Sequence, residues 1–508
     1  MSPAVHDVDV LVVGAGPAGL TVAHELALAG VRATVIDRLP DPNPHSKALG
    51  LQPRTVELLD TRGLLDAVLA DAVARIPDGH FAGLPVPLTY DRWRSPHAYH
   101  LIYPQNLLER VLEGALERHG VSVLRGCELV GLTQDETAAT AVVATPEGEV
   151  HYRARYVAGC DGHDSAVRRL GGFAFPGTST DFSGVVADVA LRSAPPEVLT
   201  RPRRTADLLG EERSDRREVS YPLVPLPNGR YRVVWAEYGR STDAGPVTEQ
   251  EVRAAVAQRY GTEVDIADVE WASRLSDAAH QAERYRLGRL FVVADAAHIH
   301  IPAGGQGLNV GVQDAVNLGW KLAAEISGRA PAGLLDTYHT ERHPVGARVL
   351  ENTRVQAYLT NPAAEFDALR STFIALLKLP EVNDRFAGML SGLDVRYDVP
   401  GADDHELLGA RMPDVALDRG TVFGRLRSGR ALLIAGPGHA ERARRWADRV
   451  EVAHGDLRTW EAAGVLIRPD GHVCWVAPAQ DDDPRHTKRL DAALHDWFGA
   501  PGPGPERA

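Results

Sequence analysis

Near its start the chain sets two short β-branched runs on either side of a stretch with helical spacing. Residues 8–13 form an apolar run stopped by glycine, the pattern of a buried strand. Residues 14–19 turn the chain, residues 20–29 have helical composition, and Gly30 stands where a helix C′ glycine belongs. Residues 31–37 read as a second strand. Connections this short predict a βαβ unit with parallel strands. Further along, residues 107–119 have the spacing of an amphipathic helix, and 121–124, 139–145, 156–160 and 290–294 read as strands.

Other stretches differ in character. Residues 76–100 are rich in proline, aromatics and histidine. Residues 176–271 contain alternating runs, such as 218–224 and 231–237, that suit an antiparallel sheet. Helical spacing runs from 308 to 389, and a turn-rich segment at 399–404 ends it. Beyond it, 431–435, 450–453 and 465–467 read as strands, Arg468-Pro469-Asp470-Gly471-His472 as a hairpin turn, and 490–498 as a helix. The tail 501–508 is expected to be disordered. No internal repeat is present. These shifts divide the chain into a discontinuous domain (1–75, 101–175 and 276–398), an inserted one (76–100 and 176–275) and a C-terminal one (399–500).

Length and composition narrow the class. With 508 residues, 44% hydrophobic and 24% charged, the chain is long enough for two to four ordinary globular domains. Its net charge of −13 argues against a nucleic-acid partner, which needs a concentrated basic face. Cys127, Cys160 and Cys474 are too far apart for a zinc ribbon or a disulfide framework. The run at 10–13 is too short for a signal segment or a membrane span, so a soluble cytoplasmic protein is expected.

Three separated segments carry the chemistry. The first, Gly14-Ala15-Gly16-Pro17-Ala18-Gly19, lies between a strand and a helix, with Asp37 about 20 residues on. Its glycines permit a tight turn and close approach of backbone to a pyrophosphate, the helix N-terminus offers N–H groups, and Asp37 can accept from a ribose hydroxyl. The second is Cys160-Asp161-Gly162, continuing to Arg169. The third is Ala294-Asp295-Ala296-Ala297-His298, followed by Pro302-Ala303-Gly304-Gly305-Gln306-Gly307-Leu308-Asn309. In both, an aspartate ends an apolar strand, at the sheet edge where a dinucleotide lies. The glycines opening the helix at Leu308 suit a reduced flavin, whose negative charge a helix N-terminus can stabilise.

Together these segments resemble the group A flavoprotein monooxygenases, the single-component aromatic hydroxylases. The first looks like their phosphate-binding fingerprint, Asp161-Gly162 like their DG motif, and Asp295 like the acid of their GD motif. The stretch from His45 to Gly50, the segment His298-Ile299-His300-Ile301-Pro302 and the C-terminal region look most like the bacterial hydroxylases of tetracycline- and angucycline-type polyketides. They are also similar to rifampicin monooxygenase. The resemblance implies an α/β fold: a Rossmann-like, glutathione-reductase-type FAD-binding domain, an inserted antiparallel-sheet substrate domain, and a C-terminal thioredoxin-like domain. That last domain lacks Cys-x-x-Cys, so it has no disulfide chemistry.

FAD contacts are implied from Asp37 and Arg38 at the adenosine ribose, from Lys47 and Gln105 near the pyrophosphate and ribityl chain, from the backbone near Leu129 at the adenine, and from Asp295 at the ribityl chain. Leu308 and Asn309 would cap the flavin ring. Three positions depart from the family: Asp37 where glutamate is commoner, Lys47 where arginine is, and Ala294 in place of the first GD glycine. The last change is expected to crowd the backbone near the cofactor. Trp93, Tyr221 and Trp235 are candidates to line an aromatic substrate pocket, with ordinary sheet packing the equal alternative. His298 and His300 lack the carboxylate or cysteine company of a metal site, so no metal is expected. The basic run Arg442, Arg444, Arg445 and Arg449 reads as a solvated helix face.

The implied reaction has two halves. NADPH or NADH reduces FAD, and oxygen then forms a flavin C4a-hydroperoxide whose distal oxygen passes to a phenolic ring. The substrate implied is a multi-ring aromatic polyketide or related antibiotic. The cofactor carries the chemistry while the protein orients and shields it, in keeping with the absence of a nucleophile–base pair. Alternatives are Baeyer–Villiger insertion into a ring ketone and a non-catalytic FAD-binding scaffold. The Trp-x-Trp-x-Ile-Pro signature of flavin halogenases is missing. A homodimer is the expected assembly.

Overall fold

The computed structural model describes residues 5–178, 182–195, 218–220, 223–238, 245–399, 405–479 and 484–502. Strand β1 (Val5–Val13), helix α1 (Pro17–Leu28) and strand β2 (Ala33–Asp37) form the expected βαβ unit, with Val13 paired in parallel to Ile36. Helix α2 (Pro53–Asp60), helix α3 (Gln105–Arg118), strand β3 (Val123–Arg125) and strand β4 (Gly148–Gly159) follow. Strand β4 is longer than expected. Its first half alternates in burial, where it pairs antiparallel with Ala139–Thr145, and its last four residues are all buried, where it pairs parallel with β1.

The inserted region comprises β5 (Phe182–Ser193), β6 (Arg230–Tyr238), helix α3's successor α4 (Glu249–Tyr260) and β7 (Asp265–Leu275), with β5 antiparallel to both β6 and β7. The alternation signalled the sheet but hid helix α4, which Thr248 caps by accepting from the Glu251 N–H. Strand β8 (Leu290–Val292) then returns beside β4, completing the parallel order β8–β4–β1–β2–β3. Helices α5 (Gln306–Ile326), α6 (Asp336–Thr360), α7 (Asp367–Leu377) and α8 (Pro380–Ser391) account for the helical stretch.

The C-terminal sheet is built from β9 (Ala431–Ala435), β10 (Val450–Ala453), β11 (Ala462–Ile467) and β12 (Val473–Pro478), in the order β10–β9–β11–β12, and helix α9 (Pro484–Phe498) closes the chain. Of the tail expected to be disordered, Gly502 donates its N–H to the Arg445 carbonyl at 2.8 Å, so its start is held; 503–508 and the segment 400–404 lie outside the described residues.

The main core fills both faces of the parallel sheet, with Val10, Leu11, Val12, Leu20, Val35 and Ile36 wholly buried. A separate core joins Val185, Val189, Val233 and Trp235 of the inserted sheet to Val252 and Val256 of α4. Residues 76–100, grouped by sequence with that sheet, pack elsewhere. Phe81, Leu84, Leu88 and Tyr90 join Leu377 of α7 and Ala387 and Leu390 of α8. Among the described residues no helix is long and apolar enough to cross a membrane.

Candidate active site

The parallel strands end together, and that common edge gathers the three motifs. Val13 pairs with both Ile36 and Gly159, so Gly14, Asp37 and Cys160-Asp161 follow at one level; Val293 joins them by donating to the Gly159 carbonyl at 2.9 Å. The three loop glycines do different work. Gly14 has φ +100°, and a Cβ there would stand 2.4 Å from the Cys160 carbonyl oxygen. A Cβ on Gly19 would stand 1.9 Å from the Gly14 carbonyl oxygen, so this glycine lets α1 pack against the turn. A Cβ on Gly16 would meet nothing within 4 Å. It would project into open space at a helix N-terminus that starts at Pro17 and Ala18 without a side-chain cap. That space is a cradle for an anion held by backbone N–H groups.

Asp37 is occupied within the chain: one carboxylate oxygen accepts from Ala15 N–H at 2.7 Å and the other from Leu39 N–H at 2.8 Å. It thus fixes the phosphate turn from the end of β2. Arg38 and Lys47 are exposed, and Leu129 is buried in the strand opposite Val143. Gln105, at the start of α3, accepts from Ala48 N–H at 3.4 Å and donates to Glu109 at 2.8 Å. Burial pushes the Glu109 carboxyl up to about 7.

Asp161 holds its short helix by accepting from Val167 N–H at 3.0 Å, while its other oxygen is buried without a partner. Burial raises its pKa. Gly162 follows at φ +77°. Arg168 links this motif to the third. It donates to the Ala296 carbonyl at 3.0 Å and the His163 carbonyl at 2.6 Å. Nothing in the sequence assigned it that role, because the two carbonyls are brought to it only by the fold.

In the third motif, Ala294 stands at φ +56°, the left-handed region that disfavours a side chain. Its methyl faces α5, since a Cβ on Gly311 would lie 2.7 Å from it. The crowding expected from this departure therefore falls on the helix rather than beside the cofactor, and Gly311 makes room for it. Asp295 is exposed at the edge, its Oδ1 3.9 Å from where a Gly307 Cβ would stand. Pro302 is exposed, and Gly304 and Gly305, at φ +68° and +62°, turn the chain into α5, which also begins without a side-chain cap.

The side chains of that turn are committed to the protein. Gln306 donates to the Ala303 carbonyl at 3.2 Å and accepts from Asn352 at 3.1 Å. Asn309 accepts from Gln52 N–H at 2.8 Å and donates to the Gly50 and Gly305 carbonyls at 3.0 and 2.7 Å. Leu308 is half-buried. The helix thus offers a flavin its backbone N–H groups, and Asn309 fastens the strap at 50–52 beside it.

That strap is clamped from the inserted sheet as well. Arg232 on β6 is buried, forks onto both Asp188 oxygens at 2.8 Å, and donates to the Ser46 and Lys47 carbonyls. Three histidines, His80, His100 and His300, lie deep in the protein and are only partly exposed. Burial lowers the pKa of each, to about 4 for His80 and His100, so all three are neutral imidazoles near pH 7. His100 abuts the strap: a Cβ on Gly50 would stand 2.0 Å from its Nε2.

His298 is wholly buried. Its Nε2 meets Asp314 at 2.7 Å, and Asp314 also accepts from Arg342 at 2.6 Å. Burial pushes the Asp314 carboxyl up, but Arg342 and His298 outweigh it and hold the group below the usual range.

The aromatic candidates do not come together. Trp93 donates to the Asp384 carbonyl at 3.1 Å and packs on Gly388 of α8. Trp235 is core on the face toward α4, with the Arg259 guanidinium 5.2 Å from its ring. Tyr221 lies outside the described residues.

An open anion cradle at one uncapped helix, a second uncapped helix across the same edge, and a buried unpartnered carboxylate oxygen between them fit a flavin dinucleotide. Comparison with known proteins agrees. Residues 7–353 match the FAD binding domain family, and 405–501 match the C-terminal domain of aromatic-ring hydroxylases. The chain is 43% identical to the 12-dehydrotetracycline 5-monooxygenase/anhydrotetracycline 6-monooxygenase of Streptomyces rimosus, over 97% of this chain and 99% of that protein. It is 41% identical to the rifampicin monooxygenase of Streptomyces venezuelae, over 97% and 99%. The solved anhydrotetracycline hydroxylase of Streptomyces rimosus superposes with a TM-score of 0.88 at 42% identity, covering 98% of this chain and 100% of that one. Fold, edge geometry and these likenesses together place the chain in the FAD-dependent aromatic-ring hydroxylase family, and it is a flavin monooxygenase.

Proposed function

We propose that this monooxygenase hydroxylates a phenolic ring of a multi-ring aromatic polyketide or a related antibiotic, with NADPH or NADH as reductant. The observation that carries the reading is the pair of uncapped helices opening at one sheet edge, with the inserted sheet fastened beside them through Arg232. There Ala236 of the inserted sheet packs with Ile301 in the loop of the third motif, and the buried polar groups His80 and His100 are uncharged imidazoles. Apolar surroundings with uncharged polar groups suit a flat ring system bearing hydroxyl groups. Relatives of this chain are named as monooxygenases of tetracycline precursors and of rifampicin.

When bound, FAD supplies hydride acceptance and activation of oxygen. The residues of this chain supply the rest. The N–H groups at the start of α1 would hold the pyrophosphate, Asp37 and Arg38 would serve the ribose, and Lys47, Gln105 and Asp295 would serve the pyrophosphate and ribityl chain. The start of α5 steadies negative charge on the ring. Arg232 and Asn309 hold the strap at 46–52 in place beside the sheet edge, where it would help to shield a bound flavin from water. Neutral His80, whose Nδ1 accepts from Gly83 N–H at 3.2 Å, would offer its Nε2–H as a donor to a substrate oxygen.

We read the C-terminal region as thioredoxin-like. The order β10–β9–β11–β12, with β9 parallel to β10 and antiparallel to β11, supports it. Its buried Cys474 and lack of Cys-x-x-Cys leave it a packing role.

The test is NADPH consumption by the FAD-loaded protein with a panel of multi-ring phenols, using isotopically labelled oxygen and mass spectrometry. Ligand-stimulated consumption with one labelled oxygen on an intact ring is expected. Oxygen inserted into a ring beside a carbonyl would replace hydroxylation with Baeyer–Villiger chemistry. No flavin reduction with any ligand would sink the proposal.

A further inference from the structure

The cofactor edge carries one acid that its three motifs do not account for. Glu109 lies one turn into α3 and accepts from Gln105 Nε2 at 2.8 Å. Gln105 in turn accepts from Ala48 N–H at 3.4 Å, and its own N–H donates to the Ala48 carbonyl at 3.0 Å. The amide is therefore held between the strap and the acid. A side-chain amide that donates to a carboxyl group on one side must present its oxygen on the other. Glu109 thus decides which end of the Gln105 amide faces the strap.

No cation is paired with it. Among the described residues Gln105 is the hydrogen-bond partner of the Glu109 side chain. Arg125, at the end of β3, spends its Nη2 on both Glu113 oxygens, at 3.0 and 2.8 Å. Asp37, at the end of β2, spends its oxygens on the Ala15 and Leu39 N–H groups. Burial pushes the Glu109 carboxyl up to about 7; Asp37 and Glu113 push the same way, while Gln105 and Arg125 oppose them. A dianionic pyrophosphate brought to the turn that Asp37 fixes adds negative charge beside this group, which disfavours its ionised form further. By linkage, such a ligand binds more tightly when the carboxyl is neutral.

We propose that Glu109 is a positioning residue of the FAD site, one that holds Gln105 and takes up a proton from water as the dianionic cofactor binds. The inference rests on reading the turn from Gly14 to Gly19, and Gln105, as neighbours of the pyrophosphate. Positioning does not require the ionised form. A protonated carboxyl still accepts from Gln105 through its carbonyl oxygen and adds no charge. FAD has no group that titrates between pH 6 and 8.5, so a proton taken up in that range belongs to the protein. His80 and His100, which burial holds at about 4, stay neutral there. Asp161 is the other edge carboxyl that burial pushes up, and a Glu109 variant separates the two.

The experiment is titration of the flavin-free full chain with FAD from pH 6 to 8.5, followed by flavin fluorescence. Calorimetry near pH 8 in phosphate and in Tris, buffers of different ionisation heat, counts the protons. The wild type should lose affinity about fivefold or more across the range and take up more than about half a proton near pH 8. Glu109→Gln keeps an acceptor for Gln105 and carries no charge. It should bind FAD at pH 8.5 about as tightly as the wild type does at pH 6, with a flat profile and no dependence of the heat on buffer. A role in packing alone would give the opposite result, weaker binding at every pH. Glu109→Ala also removes the acceptor, so its profile should be flat but about threefold or more weaker throughout. A wild-type affinity that does not change with pH, or a proton count of zero, would overturn the inference without recourse to any variant. A slope that survives in Glu109→Gln would place the proton on another group, such as Asp161, and would overturn it as well. FAD that fails to bind at any pH would remove the cofactor site itself, and this inference with it.

Discussion

Two turns in this molecule look alike in sequence and do opposite things. The phosphate turn from Gly14 to Gly19 and the hairpin turn from Arg468 to His472 are both short, glycine-containing and placed beside a strand. The first leaves backbone N–H groups open at a sheet edge. The second, read as a hairpin turn, carries an arginine, an aspartate and a histidine, yet all three are buried. Arg468 donates to Glu341 at 2.5 and 2.9 Å and lies 4.4 Å from the Trp497 ring centre. Lys321 joins Glu341 at 2.7 Å, and Asp470 pairs with Arg468 and accepts from Trp320 at 3.3 Å. Arg54 and Arg62 donate to the Asp470 and Pro469 carbonyls at 2.8 and 2.9 Å. The hairpin is therefore a plug that joins the C-terminal sheet to the FAD-binding domain through α2, α5 and α6. Charge in a turn predicts exposure only when its partners are not elsewhere in the chain.

The largest effect should come from the packing glycines, and it separates folding from binding within the first turn. Gly19→Ala collides with the Gly14 carbonyl and should abolish FAD retention or soluble expression. Gly16→Ala enters open space. It should keep the apo-protein's unfolding midpoint while weakening FAD binding about tenfold or more, read by flavin fluorescence titration. Equal damage from both would mean that the open space is not the cofactor's.

In the plug, Arg468→Met strands Glu341 and Asp470 in the interior and should cost about 3–5 kcal/mol in chemical denaturation. A loss below about 1 kcal/mol would show that water reaches the cluster.

Acid should act on the plug in two steps. Burial lowers the His472 pKa from 6.5 to about 4, so its neutral form's stability is complete above pH 6.5 and is lost as pH falls through 4. Burial pushes the Glu341 carboxyl up, but Arg468 and Lys321 outweigh it and hold it at about 2 against an ordinary 4.5. Its share is complete above pH 4.5 and is lost on descent toward 2. His472→Gln should flatten the denaturant midpoint's dependence between pH 6.5 and 4. Part of the slope should remain, because His80 and His100 shift in the same direction.

Arg232→Lys keeps the charge but loses the fork that holds Asp188 and the strap together. It should weaken FAD binding about threefold to tenfold with little change in the unfolding midpoint. The smallest effect belongs to Ala294→Gly. It relieves a left-handed alanine but frees the unfolded chain, so stability should rise by no more than about 1 kcal/mol.

Much of the fold was legible because its signals are local. The βαβ unit, the hairpin and the strands at 431–435 and 450–453 each follow from apolar spacing and turn residues within a few positions. Helix α2 was missed for the opposite reason. Arg54, Thr55 and Glu57 give it the look of a surface segment, yet all three are buried because Asp470, Arg411 and Asn309 come to meet them. The site divides in the same way. Its glycines and strand-end aspartates could be found from spacing, whereas Arg168, Arg232 and Gln52 could not, since each reaches groups far away in sequence. The aromatic residues Trp93 and Trp235 were plausible on composition alone, and packing put both against helices.

Sequence by itself determined the backbone chemistry of this protein: where the chain must turn, which helices begin bare, and which strand ends carry an acid. Those features depend on φ, on the absence of a Cβ and on periodicity, all of them properties of neighbouring residues. Tertiary structure decided the side-chain chemistry: which charges are buried, which carbonyls they hold, and which way Ala294's methyl points. Desolvation and ion pairing depend on what surrounds a group in space, and only the folded chain brings Glu341 to Arg468 and Arg232 to the strap.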